Sequence, residues 1–264
     1  MLKKLLKYDL KWCLKIVTIY LAICLVLAVL GRLIDFLPDS ILFKIIGGIC
    51  KGGALSFGIT GLVNAVIRSW VRMINNMYKD ESYLTHTIPV SIDKIYLSKI
   101  ISTFLIIIMC IITIVFSLII MYLNNNTLEM LKTTFNLLSA NLELSVIGII
   151  VLITLLLIVE MLFITFCGYF GIINGFSFNN KKTAFTLLFG FGSYVAASTM
   201  CIIIMVIMSF FNKELYNMMF KGIESTNFSL FKFLIILCIG LYTVYCLVIY
   251  YISNKKLLNG INID

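Results

Sequence analysis

Six stretches of this sequence consist almost entirely of apolar residues and are each more than 20 residues long. A helix that crosses the hydrocarbon core of a bilayer needs about 20 predominantly apolar residues, so each stretch is long enough to span. They are Trp12–Ile34, Lys44–Ile67, Ile100–Leu123, Leu144–Ile173, Phe185–Phe211 and Leu230–Ile252. The second is the least regular, because it is rich in glycine and contains Lys51. We expect an all-α membrane protein with six transmembrane helices in one domain over residues 1–264.

The composition agrees with an exterior that faces lipid. Only 12% of the residues are charged and 61% are hydrophobic, whereas a soluble domain carries about 25% charged residues. The eight cysteines lie mostly inside the apolar stretches and form no CxxC pair. We interpret them as small buried side chains rather than as metal ligands or disulfides.

The basic residues predict the orientation in the membrane. With both termini on one side, fourteen of the 21 Lys and Arg residues fall in segments on that side, six fall on the other side and Lys51 lies within a span. Because Lys and Arg concentrate in cytoplasmic segments, both termini are expected in the cytoplasm, as an even number of crossings requires. The net charge of +9 is therefore interpreted as topology, and no nucleic-acid site is expected.

The first eleven residues predict a short amphipathic helix. Leu2, Leu5, Leu6 and Leu10 recur at helical spacing with lysines between them. Such a helix would lie on the inner leaflet with its lysines toward anionic lipid headgroups; simple topological anchoring by the lysines is the alternative. The apolar run that follows is too long for a signal peptide, and we expect it to be retained as the first span.

Sequence signatures of catalysis and of nucleotide binding are absent. Neither G-x-x-x-x-G-K-[ST] nor G-x-S-x-G occurs, and His86 is the only histidine, which excludes HExxH zinc chemistry. We expect no enzymatic activity, no metal site and no cofactor-binding site in this chain.

The segment Asp80–Lys99 lies at the end of the expected cytoplasmic loop, residues 68–98, and is the most informative part of the sequence. It begins with an acidic pair and continues with apolar residues at helical spacing, after which Pro89 breaks the helix. Ser91 is then placed to cap the helix that enters the third span. We expect a short surface helix held by a proline corner, which is suited to docking a soluble partner.

This segment reads D-E-S-Y-L-T-H-T-I-P-V-S, followed by S-K at Ser98 and Lys99. It resembles the D-E-x-Y-L-T-x-T-[LI]-P-V-S-…-S-K pattern of bacterial ABC-2 type transporter permeases, in which it forms the cytoplasmic loop between the second and third spans. The rest of the chain is similar to that family in layout only. His86 departs from the pattern, because the family usually has an apolar residue at that position.

The resemblance implies an ABC-2, type V exporter-like architecture in the bacterial cytoplasmic membrane. Two such subunits would pair, as a homodimer or a heterodimer, and a dimer of a separate soluble ATPase would bind ATP and Mg and dock on their cytoplasmic loops. The loop would couple closure of the ATPase to the membrane helices. The coupling residues carried over in this way are Asp80, Glu81, Tyr83, Leu84, His86 and Pro89. A loop that merely caps two helices is the alternative.

Two charged residues fall inside the apolar stretches. Glu160 lies within the fourth, where a carboxylate is costly; it is expected either to line a translocation path or contact a second subunit, or to be protonated and bonded to a neighbouring helix. Lys51 lies near the outer end of the second stretch, where snorkelling to headgroups and contact with a substrate are both open.

The sequence therefore favours the permease subunit of an ATP-driven exporter. A cavity with few charges would suit a hydrophobic drug, a lipid or an antimicrobial peptide. The alternative is a membrane scaffold or immunity protein that binds a peptide or sensor partner without transporting anything. A carrier independent of ATP would need more intramembrane polar residues than Glu160 and Lys51.

Overall fold

A computed structural model of the chain describes residues 2–38, 40–79, 81–122, 125–220 and 228–259. All regular structure within these ranges is helical. The helices are α1 (Leu2–Ile34), α2 (Ile41–Met77), α3 (Ser82–Thr87), α4 (Ile92–Tyr122), α5 (Asn125–Leu142), α6 (Val146–Gly175), α7 (Lys182–Phe211), α8 (Lys213–Phe220) and α9 (Phe228–Leu258).

Six of the helices are long and apolar enough to cross a membrane: α1, α2, α4, α6, α7 and α9. Each contains one of the six apolar stretches of the sequence, so the expectation of six membrane helices is confirmed by length and composition. The protein is a multi-pass membrane protein. The described residues separate into two compact units, one up to Met130 and one from Leu131 onward.

In the first unit, α1 packs against both α2 and α4. Its buried side chains recur every three or four residues and so form one stripe along the helix; they are Asp9, Cys13, Val17, Leu21, Cys24 and Ala28. Near one end of the unit, Ala28, Ala54 of α2 and Met121 of α4 form a core. At the other end the same stripe places an acidic residue, Asp9, among the three helices.

The N-terminal segment is not the separate interfacial helix that the sequence predicted. Residues from Leu2 onward belong to α1, which continues unbroken to Ile34. No proline or glycine interrupts the chain before Gly31, and Asp9 is buried against the neighbouring helices, so the segment follows the axis of the span. A helix of 33 residues is about 50 Å long and exceeds the hydrocarbon core of about 30 Å.

The loop expected over residues 68–98 is also shorter than predicted. Helix α2 continues to Met77 because Arg72, Met73 and Asn76 lie on its buried face and pack within the unit. Helix α4 begins at Ile92, so only residues 78–91 connect the two, and α3 occupies the middle of that connection. The expected helix break is confirmed: α3 ends at Thr87, and Ile88 is extended, as the residue before a proline requires.

In the second unit, α6 packs against both α7 and α9. Glycines allow α6 to approach α7 closely. A Cβ atom at Gly171 would lie 2.5 Å from the Thr186 carbonyl oxygen and 2.8 Å from the Gly190 Cα atom, and a Cβ at Gly175 would overlap the backbone of Thr186. The contact between these two helices is therefore made backbone against backbone, as is common between membrane helices.

We expect Gly171→Ala to destabilise the protein by about 1–3 kcal/mol, because the added methyl group forces two rigid helices apart. Gly192→Ala on α7 is the matched control, since its Cβ would meet no atom within 4 Å. The measurement is the midpoint of thermal unfolding of the purified proteins in one detergent. Equal midpoints for the two variants would contradict the close packing of α6 on α7.

Candidate functional site

A buried carboxylate joins the three long helices of the first unit. Asp9 of α1 is only 2% exposed. Its Oδ1 atom accepts hydrogen bonds from Arg72 Nε of α2, at 2.9 Å, and from Lys99 Nζ of α4, while Oδ2 accepts one from Ser98 Oγ at 2.6 Å. One acidic side chain thus pairs with two cations from two different helices, and every contact is made out of water.

The same cluster holds α3 in place. Arg72 Nη1 donates to Glu81 Oε2, directly before α3, and Asn76 donates to Glu81 at 3.2 Å and to Thr85 Oγ1 at 2.9 Å. Thr85 Oγ1 in turn donates to the Glu81 carbonyl oxygen. The last turns of α2 therefore fix α3 through a set of charge-assisted hydrogen bonds.

The charges of this cluster balance. Two carboxylates, Asp9 and Glu81, face two cations, Arg72 and Lys99. The guanidinium of Arg72 also lies 5.5 Å from the centre of the Trp12 ring, a cation–π contact that adds to its ion pairs. Buried charges are tolerated when they are paired and hydrogen-bonded in this way.

Helix α3 has one bonded face and one free face. Ser82 and Thr85 are buried, whereas Tyr83 and Leu84 are 67% and 72% exposed. An aromatic and an aliphatic side chain thus project from a helix whose other face is anchored to α2. Apolar side chains presented on a fixed element form a preorganised contact surface for another protein.

The remaining residues of the predicted coupling loop have different positions. Glu81 accepts hydrogen bonds from Arg72 and Asn76 of α2, while its side chain is 42% exposed. His86 is half-buried, and its Nε2 atom lies 3.4 Å from the Met77 carbonyl oxygen. Pro89 is exposed after the end of α3. Asp80 lies outside the described residues. Directly after α2, burial raises the pKa of the Tyr78 hydroxyl.

Lys51 takes a position that neither sequence interpretation included. Its Nζ atom lies 2.8 and 2.7 Å from the two carboxylate oxygens of Asp35, just after the end of α1, and 5.7 Å from the centre of the Tyr122 ring. Arg32 lies 3.9 Å from the same carboxylate. The charge of Lys51 is thus neutralised within the first unit.

Glu160 is exposed near the middle of α6. It makes no hydrogen bond or ion pair with any residue that the structure describes, so the expected bond to a neighbouring helix is not found within the described ranges. This carboxylate belongs to the second unit, whereas the Asp9 cluster belongs to the first.

Sequence reasoning missed Asp9, Arg72 and Lys99 as a group. The two cations were counted as topological charges, and no role was assigned to Asp9. A signal was present, however: Asp9 is spaced by four residues from Cys13 and by eight from Val17, in register with the apolar stripe of α1. An acid in that register predicts a buried carboxylate that needs a cation from another helix.

All eight cysteines have free thiols, and within the described ranges no three His, Cys, Asp or Glu side chains are grouped to hold a metal ion.

No protein-family model matches the chain, and no curated protein or solved structure matches it either.

We expect Asp9→Asn to destabilise the protein by about 3–5 kcal/mol, because it leaves two buried cations short of a counter-charge. Asp35→Asn is the matched control: its ion pair with Lys51 is partly exposed and contributes about 1 kcal/mol or less. Thermal unfolding of both variants in the same detergent measures the difference. A loss for Asp9→Asn no greater than that for Asp35→Asn would contradict the central place of this carboxylate.

Proposed function

We propose that the chain is the membrane permease subunit of an ATP-driven ABC exporter and that α3 docks the ATPase. The observation that carries the proposal is the two-sided character of α3. Glu81 and Thr85 bind it to α2 through Arg72 and Asn76. The opposite face presents Tyr83 and Leu84 to a partner.

The connections of α3 give docking a mechanical consequence. Arg72 contacts Glu81 with one nitrogen and Asp9 with another, and Asp9 continues to Lys99. A displacement of α3 is therefore passed to α2 through the partly exposed Arg72–Glu81 pair, and from there to α1 and α4 through the buried contacts of Asp9, which are costly to break. Conformational change driven by ATP in a bound protein would reach three membrane helices by this route.

The expected orientation in the membrane agrees with docking of an ATPase. The positive-inside rule assigns α3 and the Asp9 cluster to the cytoplasmic side of a bacterial plasma membrane, where a soluble ATPase and its ATP and Mg are available. The similarity of residues 80–99 to the ABC-2 permease pattern supports the same assignment. By that similarity the functional assembly contains a second permease subunit and an ATPase dimer.

A scaffold or immunity protein would also cross the membrane several times, but nothing in it requires a surface helix bonded to the ends of membrane helices. The exporter hypothesis accounts for both faces of α3: the apolar face binds the ATPase and the polar face transmits its movement. The identity of the protein that α3 binds distinguishes this hypothesis from a scaffold or immunity protein.

The proposal predicts that the tagged chain, purified from its native membrane in mild detergent, carries a P-loop ATPase in near-stoichiometric amount. Tyr83→Ser together with Leu84→Ser should reduce the recovered ATPase at least about tenfold, because two apolar contacts of about 1–2 kcal/mol each are lost at the interface. Quantitative mass spectrometry of the co-purified proteins is the measurement.

The matched control is the pair Phe36→Ser and Leu37→Ser. These adjacent residues are also an exposed aromatic and an exposed leucine, but they lie between α1 and α2 at the other end of these helices. Their replacement should leave ATPase recovery unchanged. A well-folded protein that repeatedly purifies without an ATPase would overturn the exporter proposal and favour a scaffold or immunity protein.

A further inference from the structure

Glu160 lies at the midpoint of α6. Fourteen residues separate it from Val146 and fifteen from Gly175, so about 21 Å of helix extends on either side. The hydrocarbon core is about 30 Å thick, which places this carboxylate at the depth where an uncompensated charge is most costly. Lys51, the other charge within an apolar stretch, is paired with Asp35, whereas Glu160 makes no ion pair with any residue that the structure describes.

The described helices that pack with α6 offer no cation near this depth. Helix α6 contains no Lys or Arg, and the lysines of α7 and α9 lie near the ends of those helices, at Lys182, Lys232, Lys255 and Lys256. None of these three helices therefore supplies Glu160 with a counter-charge.

Aromatic side chains of α7 and α9 contact the residue that lies one turn along α6 from Glu160. One turn further along α6, Phe163 stacks on Tyr242 of α9 with ring centres 4.6 Å apart and lies 5.6 Å from the ring of Tyr194 of α7. Neither Tyr194 nor Tyr242 hydrogen-bonds to any described residue, whereas Tyr245 donates to the Ser193 carbonyl oxygen.

We propose that Glu160, Tyr194 and Tyr242 form a binding site for a lipophilic organic cation. The carboxylate supplies the counter-charge, the ring faces add cation–π attraction, and the apolar surroundings in the membrane match the rest of such a molecule. A neutral lipid would leave the carboxylate uncompensated at mid-depth, and an anionic one would repel it. The single negative charge among aromatic rings thus selects a cation with a large apolar surface.

Lipophilic cations are then also the substrate class that the exporter would transport. This extension to transport rests on the proposed exporter function, whereas binding of a cation at the site does not. Because the site lies wholly within the second unit, it is testable on the purified chain without an ATPase. Failure of the binding test therefore leaves the docking of an ATPase on α3 untouched, and the reverse also holds.

The experiment uses fluorescence polarisation of rhodamine 6G, a lipophilic cation, with the purified full-length protein in detergent. Nile red, a neutral dye, is measured in parallel and reports that the apolar surfaces are intact. Glu160→Gln should weaken rhodamine 6G binding at least about tenfold, equivalent to about 1.4 kcal/mol, and leave Nile red binding unchanged. Glu143→Gln, the same substitution in the exposed turn before α6, should change neither.

A second pair of variants tests the contribution of the Tyr242 ring to cation binding. Tyr242→Leu should weaken rhodamine 6G binding about threefold or more, because the ring face is lost, whereas Tyr242→Phe should retain it. Equal affinity of Glu160→Gln and the native protein for rhodamine 6G would overturn the proposal. So would a change in oligomeric mass on Glu160→Gln without any effect on the dye, since the carboxylate would then serve a contact between subunits.

Discussion

The first unit depends on one buried carboxylate. Asp9 holds two cations and a serine hydroxyl from two other helices, so α1, α2 and α4 share a single ionic centre at one end of the unit. Apolar packing alone gives membrane helices little preference for one rotation or depth, because lipid and side chains are similarly apolar. A buried charge pair specifies both, since any sliding or rotation of α1 would strand Asp9, Arg72 or Lys99 without its partner.

Helix length explains why the centre can be ionic at all. Helices α1 and α2 contain 33 and 37 residues, several turns more than the hydrocarbon core requires. Asp9, Arg72 and Asn76 lie near the ends of these helices, and α3 is bonded to the last turns of α2. The Asp9 cluster and α3 therefore form one polar surface that is bonded to three spans. A protein bound there has a firm connection to the membrane helices, which a flexible loop would not provide.

The sequence was sufficient for the features that follow from local rules. Six apolar stretches predicted six long helices, and Pro89 predicted where α3 ends. It was not sufficient for features that depend on pairing between distant residues. The continuity of α1 and α2 depends on Asp9, Arg72 and Asn76 being packed inward. The register of Asp9 with the apolar stripe of α1 indicates its burial, but no local feature identifies Arg72 and Lys99 as its partners. Glu160 was recognised as unusual from its apolar neighbours, but its aromatic surroundings come from three helices.

The wide separation of Asp9 from its partners along the chain constrains biosynthesis. Arg72 follows it by 63 residues and Lys99 by 90, so the ribosome completes α1 and most of α2 before either cation has been made. The ionic centre therefore closes late, when the beginning of α4 emerges. A chain interrupted before α4 would contain Asp9 and Arg72 but lack Lys99 and Ser98, so its carboxylate would have one of its two cations.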